Sequence, residues 1–450
     1  MSQGDSHARD CRTRQVAAIF RTSKSNLRGS LFIWLLKFAY LQILSYLCTQ
    51  NAIIVKYMSK KRHTYLLYIF LLKLCLCCIA CDTNGEPLTE SAITIYYHVP
   101  YSNLTSFVNN DLREADEALL TLPALDKTTI LFAKHKLTEM GISPDVYVLC
   151  KKVIEQGEVK NILLREYHFS EVNYTTPEGL ATLLRDVQSF SKSKRYGMII
   201  SSHGDGWLPQ RDPSFAPNRR KLFGAGNHKQ YDASFATLAE AVSRTEKPWE
   251  FLLIDACNCQ NIEVAYDLRN AFRYVIGSTT EIVDKGQDYL TALPALVNQQ
   301  WDALCQSYKA SCEDYEDWNS ATLSVIDCSQ MDEMAAIVKL LHQRGTDSLV
   351  VRSELQPLDG YDMYRYGYNI FYDFADYYRC LSTDTLLLSQ FEHQLAALVL
   401  AEAHTASYNS VYFPINYMRP LRVSSGVSCS APCTEYFQLW QETNWYKATH

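Results

Sequence analysis

Two short apolar runs, each ending at a reactive side chain, constrain this chain more than any other feature. Residues 196–202 read Tyr-Gly-Met-Ile-Ile-Ser-Ser and lead into His203-Gly204-Asp205-Gly206-Trp207. Residues 249–254 read Trp-Glu-Phe-Leu-Leu-Ile and lead into Asp255-Ala256-Cys257-Asn258-Cys259. A short, mostly apolar run closed by turn residues reads as a strand buried on both faces of a parallel sheet. Ligands of open α/β sheets gather at the carboxyl ends of such strands. Two strands ending in a histidine and a cysteine would bring a base and a thiol to one edge, which is what nucleophilic cysteine catalysis requires.

The flanking pattern fits that sheet. Residues 91–99, 145–150 and 161–167 read as strands, rich in β-branched and aromatic side chains. Between the first two, residues 104–122 place Leu104, Phe107, Leu112, Ala115, Ala118 and Leu119 at helical spacing. Thr175 or Thr176 caps a further helix, with Pro177 in its first turn and Leu180, Leu183, Leu184 and Val187 along its apolar face. Residues 231–242, 262–272, 331–342 and 386–405 read as helices, 272–278 and 321–327 as strands, and 210–229 as a polar loop. The end, 412–450, shows no regular pattern. The β–α–β alternation predicts an α/β fold, a mostly parallel central sheet with helices on its faces, followed by a more helical C-terminal part.

Charge divides the chain unevenly. Residues 1–81 carry twelve Lys or Arg and two Asp or Glu, while the remainder carries 31 basic and 47 acidic residues, a net of −16. An acidic body argues against nucleic acid as a partner and suits basic substrates. Of fifteen cysteines, six lie at or before Cys81, and the rest follow no regular framework, so disulfides do not organise the fold.

The basic leader has its own signature. Met58-Ser59-Lys60-Lys61-Arg62 forms a positive start, residues 65–79 an apolar stretch broken by Lys73, and Cys78-Ile79-Ala80-Cys81 closes it. This resembles a bacterial lipoprotein signal, in which the last cysteine, here Cys81, is lipidated after cleavage; Cys78 stands where such signals usually carry Leu. The expected division is therefore 1–57 upstream of the mature protein, 58–81 signal, 82–90 tether and 91–450 a folded domain, with a catalytic core at 91–300 and an extension at 301–450. The competing reading is a plain membrane anchor. Export to the cell envelope or outer surface, with Cys81 holding the protein to the membrane, follows from the first.

At the two strand ends, His203 supplies a base and Cys257 a thiol. Gly204 would let a substrate carbonyl approach its N–H. A cysteine at the start of a helix gains thiolate character and offers its own N–H to an oxyanion. Cys257, Cys259 and His203 are a poor zinc set, since Cys-x-Cys spacing is unfavourable and a fourth ligand is missing. No Gly-x-Ser-x-Gly elbow, phosphate loop or dinucleotide fingerprint is present. His98 and His228 have no partner in sequence and are expected at the surface.

Ser202-His203-Gly204-Asp205-Gly206-Trp207, Asp255-Ala256-Cys257 and Glu263-Val264-Ala265-Tyr266-Asp267-Leu268 together resemble the clostripain-like cysteine peptidases, of the caspase, legumain and gingipain group. Weaker echoes are Asn103-Leu104, residues 322–327 and residues 372–377; the resemblance runs from about Ile93 onward. It implies a caspase-like α/β/α sandwich, a dyad of His203 and Cys257, and cleavage after Arg or Lys through a thioester. The backbone N–H groups of Gly204 and Cys257 would hold the oxyanion. Asp255 matches the family's pocket acid, and Asp284 or Asp288 would supply a second, although Lys285 between them is unwelcome beside a basic substrate. The partners implied are proteins or peptides with basic residues. No cofactor is required by the sequence. Calcium stays open, because family members can depend on it while no EF-hand loop occurs here. The rival function is a non-catalytic surface lipoprotein that keeps the fold for binding; an amidase or transpeptidase using the same dyad is a third.

Overall fold

The computed structural model describes residues 91–208, 223–224, 229–313, 319–359, 369–412, 415–433 and 436–450. The expected signal, tether and lipidation site, most of the 210–229 loop and His228 lie outside these residues. No described helix is long and apolar enough to cross a membrane.

Apolar runs with side chains on both faces can be buried only between two helical layers, and the chain builds that sandwich. Strands β1 (Ser91–His98), β2 (Thr128–Thr138), β3 (Gly141–Glu155), β4 (Glu158–His168), β5 (Ser193–Ser201), β6 (Trp249–Asp255), β7 (Phe272–Gly277), β8 (Thr322–Asp327) and β9 (Val399–His404) form one sheet. Its order is β9-β8-β7-β6-β5-β1-β2-β3-β4. The inner strands β7, β6, β5, β1 and β2 pair in parallel, and both flanks are antiparallel. The two runs that opened the analysis are thus neighbours in the middle of the sheet.

Alternation along these strands divides the core. Ile95, Tyr97, Ile199, Phe251, Leu253 and Ile276 face one layer, made of α1 (Thr105–Thr121) together with two helices further on, Tyr289–Asn298 and Trp301–Glu313. Tyr96, Met198, Ile200, Leu252, Ile254 and Val275 face the other. That side is covered by α2 (Pro177–Ser189), α3 (Phe235–Ser243) and α4 (Ile262–Leu268). In chain order the next helices are α5 (Tyr289–Asn298), α6 (Trp301–Glu313), α7 (Met331–Arg344), α8 (Phe374–Leu381) and α9 (Thr385–Leu398), the last three joining the second layer. Each Leu, Ile or Phe sealed in these layers contributes roughly 1.5–3 kcal/mol relative to exposure. Thr176 caps α2 through its side chain, accepting from the Gly179 amide, and Pro177 opens the helix, as the sequence predicts.

Strand β2 is absent from the sequence reading, and three further points differ from it. The stretch 386–405 is not one helix: α9 stops at Leu398 and Val399–His404 continues as edge strand β9. The segment after 412 is not irregular throughout. It holds the strand Ile415–Pro420, paired with Ser407–Tyr412, and the short helices α10 (Phe437–Gln441) and α11 (Asn444–Thr449). His98 is not at the surface but 2% exposed, with Nδ1 2.9 Å from the Tyr96 hydroxyl. It lies beside His135, Tyr147, Tyr174 and Tyr167 in an aromatic cluster between β1 and the β2–β4 flank, where Tyr147 and Tyr167 stack.

Burial holds His98 neutral, lowering its pKa to about 3, and does the same for His135, lowered to about 4. An unfolded histidine titrates near 6.5, so below that pH the unfolded chain takes up protons that the folded chain refuses. The stability contribution of each is complete above about 6.5 and is lost progressively as pH falls toward the folded value. Urea titrations should therefore show stability declining between pH 7 and pH 5, and His98→Gln should flatten that decline. An unchanged slope in the variant would refute the assignment.

Candidate active site

The site is set by strand register. Ser201 on β5 lies opposite Asp255 on β6 in the parallel pairing, and the Ser202 amide donates to the Asp255 carbonyl at 3.2 Å. Two residues beyond each partner stand His203 and Cys257. Both line a cleft of about 470 Å³ at the carboxyl edge of the sheet, together with Leu104, Phe107 and Val108 of the β1–α1 side, Glu281 to Asp284 of the loop after β7, and Asn409.

The glycine after the histidine has a packing role that its sequence does not suggest. A Cβ on Gly204 would lie 2.6 Å from the Cys259 Sγ, 2.7 Å from the Cys257 carbonyl oxygen and 2.9 Å from the Ala256 Cβ. The missing side chain therefore lets the histidine turn lie directly on the cysteine turn. The cysteine turn is pinned from its other side, since the amides of Asn258 and Gln260 donate to the carbonyls of Thr280 and Ser278, each at 2.9 Å. Gln260 is fully buried, and its amide nitrogen donates to the Val275 carbonyl and to Ser324 on β8. Asn258 adopts a left-handed conformation at φ 53°, which closes the turn.

The Cys257 thiol is half-buried and lies against the backbone of Ile282, whose amide is 3.4 Å and carbonyl oxygen 3.8 Å from Sγ. Burial, then the charge of Glu281, pushes its pKa up to about 12. The sequence expectation that a helix start would favour thiolate does not hold, because α4 begins only at Ile262, beyond the turn. Among the described residues the Cys257 amide donates to no backbone carbonyl. His203 is oriented by a residue the sequence marked only as an echo: Nε2 lies 2.6 Å from the Asn103 Oδ1. Since Oδ1 only accepts, Nε2 carries the hydrogen.

The acids divide into three situations. Asp255 is buried below the thiol, where its Oδ2 accepts from the Tyr289 hydroxyl at 2.8 Å and the Gln287 amide at 3.2 Å while Oδ1 has no partner. Desolvation raises its pKa to about 6. Gly286, at φ 65°, brings the loop so close that a Cβ there would sit 2.9 Å from the Asp255 Oδ2. Asp284 is exposed and lines the cleft. Asp288 does not line it; its carboxylate caps α5, accepting from the Leu290 amide at 3.1 Å. Lys285 is also absent from the lining, and its charge acts on Glu114 instead. A further acid was not singled out from sequence: Asp111 of α1 is 3% exposed and lines the same cleft. Its signal was available, because it interrupts the inward stripe Val108, Leu112, Ala115 and Ala118.

Among the described residues no group of three His, Cys, Asp or Glu side chains is arranged to hold a metal ion. Cys259 is fully buried and directs its thiol at the Cys257 carbonyl oxygen, 3.2 Å away. The nine described cysteines are all free thiols.

Residues 96–426 match the clostripain family, Peptidase_C11. Among solved structures, the chain is similar to a secreted C11 cysteine protease from Bacteroides thetaiotaomicron, at 29% identity and a TM-score of 0.70, over 80% of this chain and 100% of that one. It is similar also to an inactive zymogen C11 protease from Parabacteroides distasonis, at 25% identity and a TM-score of 0.67, over 81% of this chain and 100% of that one. A secreted C11 cysteine protease from Bacteroides thetaiotaomicron, solved with an irreversible peptide inhibitor, shares the fold at 22% identity and a TM-score of 0.65, over 80% of this chain and 99% of that one. No curated protein is recognisably similar to the chain.

Two outcomes follow from this geometry. Gly204→Ala forces the two turns apart and should cost about 1–3 kcal/mol, the usual penalty for overpacking a dense site, read as a lowered denaturant midpoint. Glu281→Gln removes the nearest negative charge and should lower the Cys257 pKa. Its alkylation by iodoacetamide at pH 7.5 should therefore be faster than in the parent protein, and an equal rate would show that Glu281 does not govern the thiol.

Proposed function

The chain belongs to the clostripain family of cysteine proteases, and from that premise we propose that it is an exported endopeptidase cutting after Arg or Lys, with Cys257 as nucleophile and His203 as its acid–base partner. The observation that carries this reading is the pairing of Ser201 with Asp255, two residues short of each partner, at the edge of one cleft. With Nε2–H held by Asn103, the Nδ1 of His203 is the nitrogen that exchanges a proton, and Asn103 is a positioning residue.

In the reaction the thiol gives its proton to His203 as sulfur bonds to the scissile carbonyl carbon. The resulting oxyanion is held by the backbone N–H groups of Cys257 and Gly204. The C–N bond then breaks, the histidine proton passes to the leaving amine, and the acyl group remains as a thioester. Water hydrolyses the thioester, giving its proton back through His203 to the sulfur. Burial holds the Cys257 pKa up, so in this reading the thiol loses its proton to His203 as attack proceeds and not beforehand.

Asp255 supplies the pocket charge that recognises a guanidinium or ammonium, and Asp284 at the rim adds a second. Proteins and peptides with basic residues are the partners of this reading, consistent with the acidic body of the chain. The sequence requires no cofactor for this chemistry, and calcium dependence stays open. The basic and apolar stretch 58–81 fits a signal cleaved before Cys81, which lipid would then anchor, followed by a tether at 82–90 and the peptidase domain at 91–450. One solved relative is described as secreted, in keeping with export.

Cys257→Ala should abolish cleavage of Arg- and Lys-containing fluorogenic peptides, while His203→Ala should lower kcat/KM by a factor on the order of 10² or more. Persistent cleavage by the Cys257 variant would overturn the assignment and leave a binding protein with the same fold. Asp255→Asn should lower kcat/KM for Arg substrates relative to uncharged ones, whereas Asp288→Asn should lower thermal stability without changing that preference.

A further inference from the structure

Asp111 occupies a position that packing alone does not explain. It lies on the inward stripe of α1, where its neighbours Val108, Leu112, Ala115 and Ala118 are all apolar. A carboxyl there costs stability that a leucine would not. Its Oδ2 accepts from the Tyr97 hydroxyl at 3.1 Å, and its Oδ1 is buried with no partner. Asp255 is held in the same manner by Tyr289, and its Oδ1 likewise has none. The Tyr97 and Tyr289 rings are in contact, with centroids 5.2 Å apart. Two carboxyl groups thus hang from one tyrosine pair, both line the cleft that contains Cys257, and each keeps one oxygen unsatisfied.

We infer that Asp111 is a second specificity-determining acid, forming with Asp255 a paired-carboxyl floor that takes an arginine guanidinium in preference to a lysine ammonium. This deepens the proposed function and rests on its assignment of Cys257 and of a basic substrate. The guanidinium is planar and carries five N–H donors, enough to satisfy both unpartnered, buried oxygens at once where it enters between the two carboxyl groups; an ammonium is a point charge with three donors. Two buried carboxylates side by side disfavour each other's ionisation. Burial, and then the charge of Asp255, raise the Asp111 pKa, so the unliganded pair retains a proton. Entry of a guanidinium supplies the missing positive charge, and that proton leaves to solvent. Lys285 and Asp288 are not on this floor, and Glu114 is occupied with the Tyr289 amide at 3.0 Å and the Asn110 side-chain amide at 2.9 Å.

The test compares kcat/KM for three fluorogenic peptides that differ only in Arg, Lys or citrulline before the scissile bond. It uses the parent protein, Asp111→Asn, Asp111→Ser and Asp255→Asn, with intact sites counted by covalent labelling of Cys257 so that partial unfolding does not distort the ratios. The parent should prefer Arg over both Lys and citrulline. Asp111→Asn should lower the Arg-to-citrulline ratio by roughly tenfold or more and reduce the advantage of Arg over Lys. Asp111→Ser, which removes bulk as well as charge, should do the same if the asparagine variant folds poorly. If Asp255→Asn lowers the ratio while both Asp111 variants keep it, the paired floor is overturned and the single-acid reading stands. If the parent shows no preference for Arg over citrulline, the basic-substrate reading fails, and this inference with it.

Discussion

The contact between two backbone turns, made possible by the absence of a Cβ at Gly204, is the constraint on which the rest of the site depends. Strands β5 and β6 would lie side by side in any parallel sheet. Their register alone aligns Ser201 with Asp255; it does not decide where the chains go next. The decision comes from the packing of Gly204 onto Ala256, Cys257 and Cys259, closer than a side chain would permit. From that contact outward the polar network follows, with Gln260 reaching to β7 and β8 and Asn258 and Gln260 bonded to the segment after β7. A cleft built on such a turn is rigid on the nucleophile's side. Its opposite wall, made by Ile282 and the loop to Asp288, is bound mainly through Asp255 and helix α5.

The electrostatics of the cleft run against ionisation. Cys257 is close to Glu281, and Asp255 to Asp111, all in surroundings that penalise charge. A neutral thiol and a protonated acid are the states that such a site prefers without substrate. On the proposed reading, a peptide with a basic side chain would reverse that balance at the floor of the cleft by adding one positive charge. Recognition and activation are then two effects of the same charge, since less negative potential near the sulfur makes its proton easier to remove.

Much of this was legible in the sequence because central parallel strands are apolar on both faces and cannot be mistaken for surface structure. Tyr196 to Ile200 and Phe251 to Ile254 announced themselves in that way, and the turns that follow them carried the reactive pair. What escaped was written in three dimensions or in ambiguous runs. Strand β2 includes Lys134, His135 and Lys136, whose polar side chains conceal its alternation. Val399 to Ala403 continues the apolar character of α9, and periodicity does not separate a helix from a strand over so short a run. His98 is buried by His135 and Tyr174, which come from distant segments. Asp288 lies in the loop where the family resemblance implies a second pocket acid, and its role as a helix cap shows only in the structure. Asp111 could have been found by asking why an acid interrupts a buried stripe, a question that arises only once the stripe is known to face a cleft.

Ser430 joins parts of the site that the sheet keeps separate. Its hydroxyl accepts from the Trp207 indole at 2.5 Å, beside the histidine turn, and its amide donates to Glu263, on the helix that follows the cysteine turn, at 3.0 Å. The neighbouring Ser428 amide donates to the Gln260 carbonyl at 3.0 Å. This clasp is contributed by residues that follow Glu263 by 167 positions. A ribosome therefore finishes both turns long before it makes the piece that fastens them. Until that piece emerges, a nascent chain holds both turns without the hydrogen bonds that join them, so the relation between His203 and Cys257 is completed only when the end of the chain has been made.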